Sequence, residues 1–245
     1  MIFKVIFVFL CFTTVSLFAA DAAPMINLSV AAVDQPAQFV KTINIAVILM
    51  LFVLAPTLLL MATSFTRLII VFGLLRQALG LQQSPPNQVI ISLSLILTFF
   101  IMEPYGKAAW NNGIKPYMDE TIGYEVAFTE AVTPFKKFML KNTREKDIAL
   151  FYRIKKEKNP NDIEDVPLTL LMPAFVVSEL RTAFEIGFLV FLPFLVIDII
   201  VASILMSLGM MMLPPVMISL PIKLIFFIII DGWFLIIGNL AQSFK

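Results

Sequence analysis

Histidine is absent from the sequence, and cysteine occurs only once, at Cys11. Histidine is the commonest general base, proton relay and metal ligand, so its absence removes the usual starting point for acid–base or metal chemistry. We expect the segment that holds Cys11 to be removed, which leaves the mature chain without a thiol or a disulfide. Gly106 and Lys107 are followed by Ala108 and do not complete a phosphate-binding loop. We therefore predict that the protein is not an enzyme and holds no cofactor or metal.

Charged residues are also scarce, at 14% of the chain, whereas hydrophobic residues make up 60% and the mean hydropathy is +0.94. Soluble domains carry about 45–50% apolar and about 25% charged residues. A water-soluble core formed by 245 residues cannot enclose this much apolar surface, so lipid or other apolar subunits must cover the rest. The formal net charge of +1 does not indicate a nucleic-acid partner.

Residues 1–22 have the pattern of a secretory signal peptide. A lysine precedes an apolar run at 5–12, and Ala20-Asp21-Ala22 matches the small-residue cleavage pattern. The alternative is an uncleaved first membrane helix, but the apolar run is short for a span. We therefore expect cleavage, a mature chain that begins near Ala23, and a periplasmic N-terminal segment over residues 23–42.

Four further apolar stretches predict membrane-type helices. A simple span needs about 20 apolar residues. The second stretch is shorter than that and the last two contain charges. These departures are also compatible with helices that are enclosed by protein instead of lipid. We predict an all-α membrane protein in which these stretches form two apolar hairpins, 43–103 and 186–245. The four stretches are 43–62, 89–102, 186–208 and 222–240.

The segment between the hairpins, 104–185, carries helical signals of its own. Asn142 stands three residues before Glu145, in the arrangement of a capping box that starts a helix. Ile148 and Phe151 then follow at helical spacing. We therefore predict a periplasmic helical domain with no strands.

The connection between the first two apolar stretches is predicted to face the cytoplasm. A cleaved signal leaves the new N-terminus outside the cytoplasm, and one crossing then brings the chain inside. Arg67 and Arg76 lie in this connection, in agreement with the excess of basic residues in cytoplasmic loops. Pro85, Pro86 and Asn87 restart the next helix, since proline is common in a first helical turn. We interpret these five residues as a cytoplasmic-side loop.

Three consecutive methionines, Met210, Met211 and Met212, precede Pro214 at the bend of the second hairpin. Methionine is unbranched and polarisable, and it re-packs easily. A cluster of such side chains can form a deformable apolar constriction of the kind that gates pores by excluding water. The alternative is a hairpin tip buried against neighbours, and the residues alone favour that alternative.

Asp198 and Asp231 are carboxylates inside apolar stretches, where ionisable groups mark ion pathways or buried pairs. Each lies 16 residues from the Pro214-Pro215 pair, which places them at similar depth in a simple antiparallel hairpin. Lys223 is a candidate partner for either. The two interpretations are proton coupling and a salt bridge that fixes packing, and the absence of a histidine relay favours packing.

Taken together, the motifs resemble those of the FliP family, in the same order and over roughly residues 43–244. The departures are mild: Gln77 stands where asparagine is expected, and Glu103 precedes Pro104. The principal matching motifs are Ser64-Phe65-Thr66-Arg67, Pro85-Pro86-Asn87-Gln88-Val89, Ser178-Glu179-Leu180, Leu208-Gly209-Met210-Met211-Met212, Lys223-Leu224 and Asp231-Gly232-Trp233.

The resemblance implies a subunit of the flagellar type III export gate, through which unfolded flagellar subunits leave the cytoplasm. Proteins of this family assemble with FliQ and FliR and neighbour FlhB and FlhA. Several copies, expected to be five, form a helical ring-like pore in the inner membrane. The resemblance also assigns Met210 to Met212 to the gasket that seals this pore, which reverses the preference drawn from the residues alone.

Two other functions compete with this one. The first is the corresponding subunit of a virulence injectisome, and the predicted signal peptide favours the flagellar branch over it. The second is a small-solute transporter that uses Asp198 and Asp231. The lack of an internal repeat and of a discontinuous helix pair opposes that function.

Overall fold

The computed structural model describes residues 36–81, 83–158, 160, 162–210 and 213–244. Within these ranges the secondary structure is helical and contains no strand, and the all-α membrane fold predicted from the sequence is confirmed. The predicted signal peptide, 1–22, lies outside the described residues, as do residues 23–35. The chain divides into two compact units, Met1–Phe52 and Val53–Lys245, and the packing below is that of the second.

The helices follow one another with short connections. A π-helical turn, Trp110–Ile114, joins α3 to α4, and a 3₁₀ turn, Ile163–Asp165, precedes α7. In chain order the helices are α1 (Pro36–Met61), α2 (Phe65–Ala78), α3 (Asn87–Ala109), α4 (Lys115–Met118), α5 (Tyr124–Asn142), α6 (Glu145–Lys155), α7 (Leu168–Ser207), α8 (Pro215–Ile229) and α9 (Gly232–Gln242).

Three described helical segments are long and apolar enough to cross a membrane: Ile43–Met61, Asn87–Met118 and Leu168–Ser207, with mean hydropathies of 2.6, 1.8 and 2.8. Helices α8 and α9 pass the same test only as a pair, and they are bent by 64°. The 40 residues of α7 extend about 60 Å, which is twice the hydrocarbon thickness of a bilayer. Part of α7 must therefore project beyond the lipid.

Helix continuity differs from the predicted segment boundaries. The first helix begins at Pro36 instead of residue 43. The boundary predicted at 103/104 falls inside α3, and the one at 185/186 falls inside α7. Hydropathy drops at both places because charges appear, but glutamate and lysine are good helix formers. In α3 the Lys107 Nζ lies 2.5 Å from Glu103 Oε1, one turn away, so these charges stabilise the continuous helix.

The capping box predicted at Asn142 is wrong. Asn142 is the last residue of α5, and its side-chain amide donates to the Phe138 carbonyl at 2.9 Å. Helix α6 begins at Glu145 after Arg144, whose backbone N–H is accepted by Ser178 Oγ of α7 at 3.1 Å. The Arg144 N–H at the start of α6 is therefore satisfied by a side chain of α7 and not by a local cap.

Helix α2 forms the centre of one apolar core. Leu68, Val71, Phe72 and Leu75 recur at the spacing of one helical face, and none is more than 2% exposed. They pack with residues of α7, α8 and α9, including Phe194, Phe227 and Leu240. A second core lies where α5, α6 and α7 meet, around Phe138, Leu171 and Phe175.

Gly113, in the π-helical turn, allows a close approach to α5. A Cβ at this position would lie 2.7 Å from both the Ala127 carbonyl oxygen and the Ala131 nitrogen. Both are backbone atoms of a helix, which cannot rotate away as a side chain could. Only glycine fits here without moving one of the two segments.

We expect Gly113→Ala to lower the free energy of unfolding by about 1–3 kcal/mol, because overpacking forces the helices apart. The matched control is Gly106→Ala in α3, where a Cβ would meet nothing within 4 Å. That control should raise stability slightly, since alanine is the better helix former. Thermal unfolding in detergent followed by circular dichroism measures both, and equal stabilities would contradict the close approach.

Candidate functional site

The bend of the second hairpin closes with backbone hydrogen bonds. Helix α7 ends at Ser207, and Gly209 follows with φ +72°. The Gly209 N–H donates to the Met206 carbonyl at 3.1 Å, and the Met210 N–H donates to the Leu205 carbonyl at 3.0 Å. These two bonds form a Schellman motif, in which glycine takes the left-handed position without steric cost.

The methionine run begins at the end of this motif. The Met210 residue is 43% exposed, and Met211 and Met212 lie outside the described residues. Pro214 and Pro215 follow, with Pro215 in the first turn of α8, where its missing N–H leaves no hydrogen bond unmade. The described part of the tip is therefore an exposed turn between α7 and α8.

A salt bridge joins the two arms of this hairpin. Lys223 Nζ of α8 lies 2.6 Å from Asp198 Oδ2 of α7, and Ser219 Oγ donates to Asp198 Oδ1 at 2.6 Å. The Lys223 side chain is 3% exposed and that of Asp198 is 28% exposed. Lys223 Nζ also donates to the Ala78 carbonyl at 3.1 Å. Ala78 is the last residue of α2, where an unpaired carbonyl and the helix dipole both favour a cation.

The structure brings Lys223 to Asp198 and not to Asp231. Asp231 has φ 50° between α8 and α9, is exposed, and makes no side-chain hydrogen bond within the described residues. Asp198 lies level with Ser219 and Lys223, which come eight or more residues before Asp231 in the chain. Counted from the helix ends, Asp198 lies nine residues before Ser207, and Lys223 lies eight residues after Pro215, which sets those two level.

Arg67 is not a loop residue, contrary to the prediction. It lies in the first turn of α2, is 3% exposed, and forms a salt bridge with Glu179 of α7. The Arg67 Nε donates to Glu179 Oε2 at 2.8 Å, and Nη1 donates to Ser243 Oγ at 2.8 Å. The guanidinium carbon lies 3.8 Å from the centroid of the Phe244 ring, close enough for a cation–π contact. The loop prediction failed because it placed the Arg67 side chain in water, whereas the guanidinium is buried.

The remaining predicted loop residues do come together. Arg76 lies in the last turn of α2, and its Nη1 donates to Asn87 Oδ1 at 2.7 Å and to the Pro85 carbonyl at 3.2 Å. Pro86 precedes Asn87, the first residue of α3. This cluster fixes the turn between α2 and α3.

A further buried polar contact fastens α6 to α7, and none of the sequence motifs predicted it. Ser178 Oγ donates to Asp147 Oδ2 at 2.5 Å, and both residues are buried. Ser178 is adjacent to Glu179, so the contacts of α7 with Asp147 and with Arg67 arise from neighbouring residues. The sequence signal was available, because these two polar residues follow the largely apolar first turns of α7.

These features define an all-helical integral membrane protein whose apolar helices are fastened by buried ion pairs. Among the described residues, no group of three or more Cys, Asp or Glu side chains is arranged to hold a metal ion. The described residues form a hairpin bend and expose an apolar surface that a membrane or other subunits can cover.

Comparison with known proteins supports a more specific assignment. A model of the FliP family matches residues 48–240. The flagellar biosynthetic protein FliP of Bacillus subtilis is 49% identical over 211 residues, which cover 86% of this chain and 96% of that protein. The protein of the same name from Caulobacter vibrioides is 53% identical over 192 residues, 78% of this chain and 72% of that one. The Rhizobium meliloti protein of that name is 49% identical over 192 residues, 78% of each chain. The chain belongs to the FliP family, as its motifs predicted.

Replacing either Arg67 or Glu179 with alanine should lower the free energy of unfolding by about 3–5 kcal/mol, because the remaining charge is left buried without a partner. The double variant Arg67→Met with Glu179→Leu should recover much of this loss. The control is Arg181→Ala, which breaks a pair with Glu185 whose side chains are 51% and 52% exposed, and it should have little effect. Chemical denaturation in detergent measures all four, and a single variant no less stable than the control would contradict the stabilising role of the Arg67–Glu179 pair.

Proposed function

We propose that this protein is a pore-forming subunit of the flagellar type III export gate, which moves unfolded flagellar subunits across the inner membrane. The observation that carries the proposal is the family match, which extends over residues 48–240 and so includes both hairpin regions. The relatives compared above are named flagellar biosynthetic proteins, which favours the flagellar system over an injectisome. The proposal includes no catalytic step.

The apolar surface of the described residues supports an assembly of many subunits. Ile228, Ile229 and Phe234 are each more than 70% exposed, and they must be covered by lipid or protein. Since α7 is too long to lie wholly in a bilayer, those of its exposed apolar side chains that lie outside the lipid need protein neighbours. We propose that these neighbours are FliQ, FliR, FlhB, FlhA and other copies of this chain, five copies forming a ring.

In this proposal Met210, Met211 and Met212 form the gate. The exposed Met210 at the end of the Schellman motif supports a tip that points away from the chain's own core. A ring of such tips would place a continuous methionine collar around the pore axis. The collar would exclude water and ions while closed. It would also part around cargo of any shape, because the unbranched thioether chains re-pack easily.

Replacing Met210, Met211 and Met212 together with alanine should leave assembly intact and make the membrane leak. Growth should fall when the triple variant is overproduced, and dye entry or single-channel recording should show the open pathway. The matched control is Met206→Ala with Met217→Ala, which removes two exposed methionines from the adjoining helices but leaves the collar. A triple variant that assembles and stays as tight as the unaltered protein would exclude the gasket.

Asp198 and Lys223 have a packing role in the proposal. Asp198→Ala alone should reduce assembly of the complex before it affects export, since it leaves the lysine charge buried at a cost of about 3–5 kcal/mol. The double variant Asp198→Asn with Lys223→Gln should assemble better than Asp198→Ala. Asp231→Asn is the control, because Asp231 is exposed within the described residues. The measurement is the yield of intact complex purified from native membrane.

A different result would favour proton coupling over packing. If Asp198→Ala gives a normal yield of complex and yet abolishes export, the carboxylate itself is needed during transport. That outcome would reject the packing role while leaving the pore assignment unaffected.

A further inference from the structure

A cavity of about 450 Å³ opens among α2, α3, α8 and α9. Its volume is in the range of pockets that hold small ligands. The walls are almost entirely apolar, so a ligand that enters must present hydrocarbon to them. Its principal wall residues are Phe72, Leu79, Leu93, Leu224, Phe227 and Trp233.

Arg76 is the one charged residue in the wall of this cavity. It is half-buried, and both of its described hydrogen bonds, to Pro85 and Asn87, use the same nitrogen, Nη1. The N–H groups on Nε and Nη2 have no protein acceptor within the described residues. A guanidinium has five N–H donors in a planar fork, so Nε and Nη2 of Arg76 can still donate to a ligand.

The other half-buried or buried arginines of the described chain are neutralised by carboxylates. Arg67 pairs with Glu179, and Arg144 pairs with Glu185 at 2.7 Å. No described carboxylate pairs with Arg76 or lines the cavity. An apolar cavity with an unmatched cation in its wall fits a molecule that is hydrocarbon at one end and anionic at the other.

We propose that the cavity binds an acyl chain of an anionic phospholipid and that Arg76 binds its phosphate. Phosphate oxygens match the planar donor fork of arginine, and basic pockets between membrane helices bind anionic head groups. A helix from another subunit could fill the apolar walls, but it would leave Arg76 unmatched unless it brought a carboxylate. An anionic phospholipid supplies both parts, the hydrocarbon chain and the negative charge, in one molecule.

Tryptophan fluorescence tests this site, because the chain has only two tryptophans and Trp233 lines the cavity. The variant Trp110→Phe of the full chain leaves Trp233 as the reporter. It is reconstituted into vesicles of phosphatidylglycerol and phosphatidylcholine, one of which carries brominated acyl chains that quench tryptophan on contact. Half-maximal quenching of Trp233 should need about tenfold less brominated phosphatidylglycerol than brominated phosphatidylcholine, as a charge-assisted hydrogen bond implies.

Two further variants separate the head-group site from the cavity. Arg76→Gln should remove the preference for phosphatidylglycerol, whereas the exposed control Lys107→Gln should keep it. Leu93→Phe narrows the cavity and leaves Arg76 in place, so it should weaken quenching by both lipids. The counter-probe Trp233→Phe reports from Trp110, which does not line the cavity, and should show no preference.

Three results would overturn the proposal. Equal quenching of Trp233 by the two lipids would mean that only unselective surrounding lipid reaches it. A preference that survives in Arg76→Gln would remove the arginine from the site. An absence of quenching in the assembled complex would mean that a protein segment fills the cavity.

Discussion

The Arg67 guanidinium joins segments that are far apart in the chain, and the second unit depends on its burial. It binds Glu179 from α7, the Ser243 hydroxyl and the Phe244 ring, while its own helix lies at the centre of the main apolar core. A buried charge is tolerated only when its partners are in place. The ion pair therefore restricts how α2 can sit against α7. The apolar contacts of Leu68 and Phe72 stabilise the same arrangement.

Helix α2 is fastened at both ends by this means. At its start Arg67 reaches Glu179, and at its end the Ala78 carbonyl accepts a hydrogen bond from Lys223, which is itself bridged to Asp198. The two arms of the second hairpin are thus connected to each other and to α2 by one lysine. The hydrophobic effect is non-directional, whereas these hydrogen bonds and ion pairs add a specific constraint on register.

Features that depend on composition could be predicted from the sequence, whereas features that depend on contacts between distant residues could not. The all-α membrane class and the pairing of Lys223 with an aspartate followed from apolar stretches that contain charges. The burial of Arg67 did not, because its partner lies 112 residues away and an arginine between two apolar stretches has the pattern of a loop. The break at Asp231 was missed for a different reason. Hydropathy measures side chains, and the left-handed backbone at that residue has no hydropathy signal.

The distribution of charge along the second hairpin bears on how a gate could open there. Between Asp198 and Lys223 the sequence contains no charged residue, and the bend within that interval is closed in its described part by backbone hydrogen bonds around Gly209. Re-packing of an uncharged tip separates no ion pair, so it costs far less than separating Asp198 from Lys223. In the proposed gate, the ion pair therefore holds the arms while the tip re-packs. A proposed gate that must open for each cargo and close again needs two arms held together by an ion pair and a tip without charge.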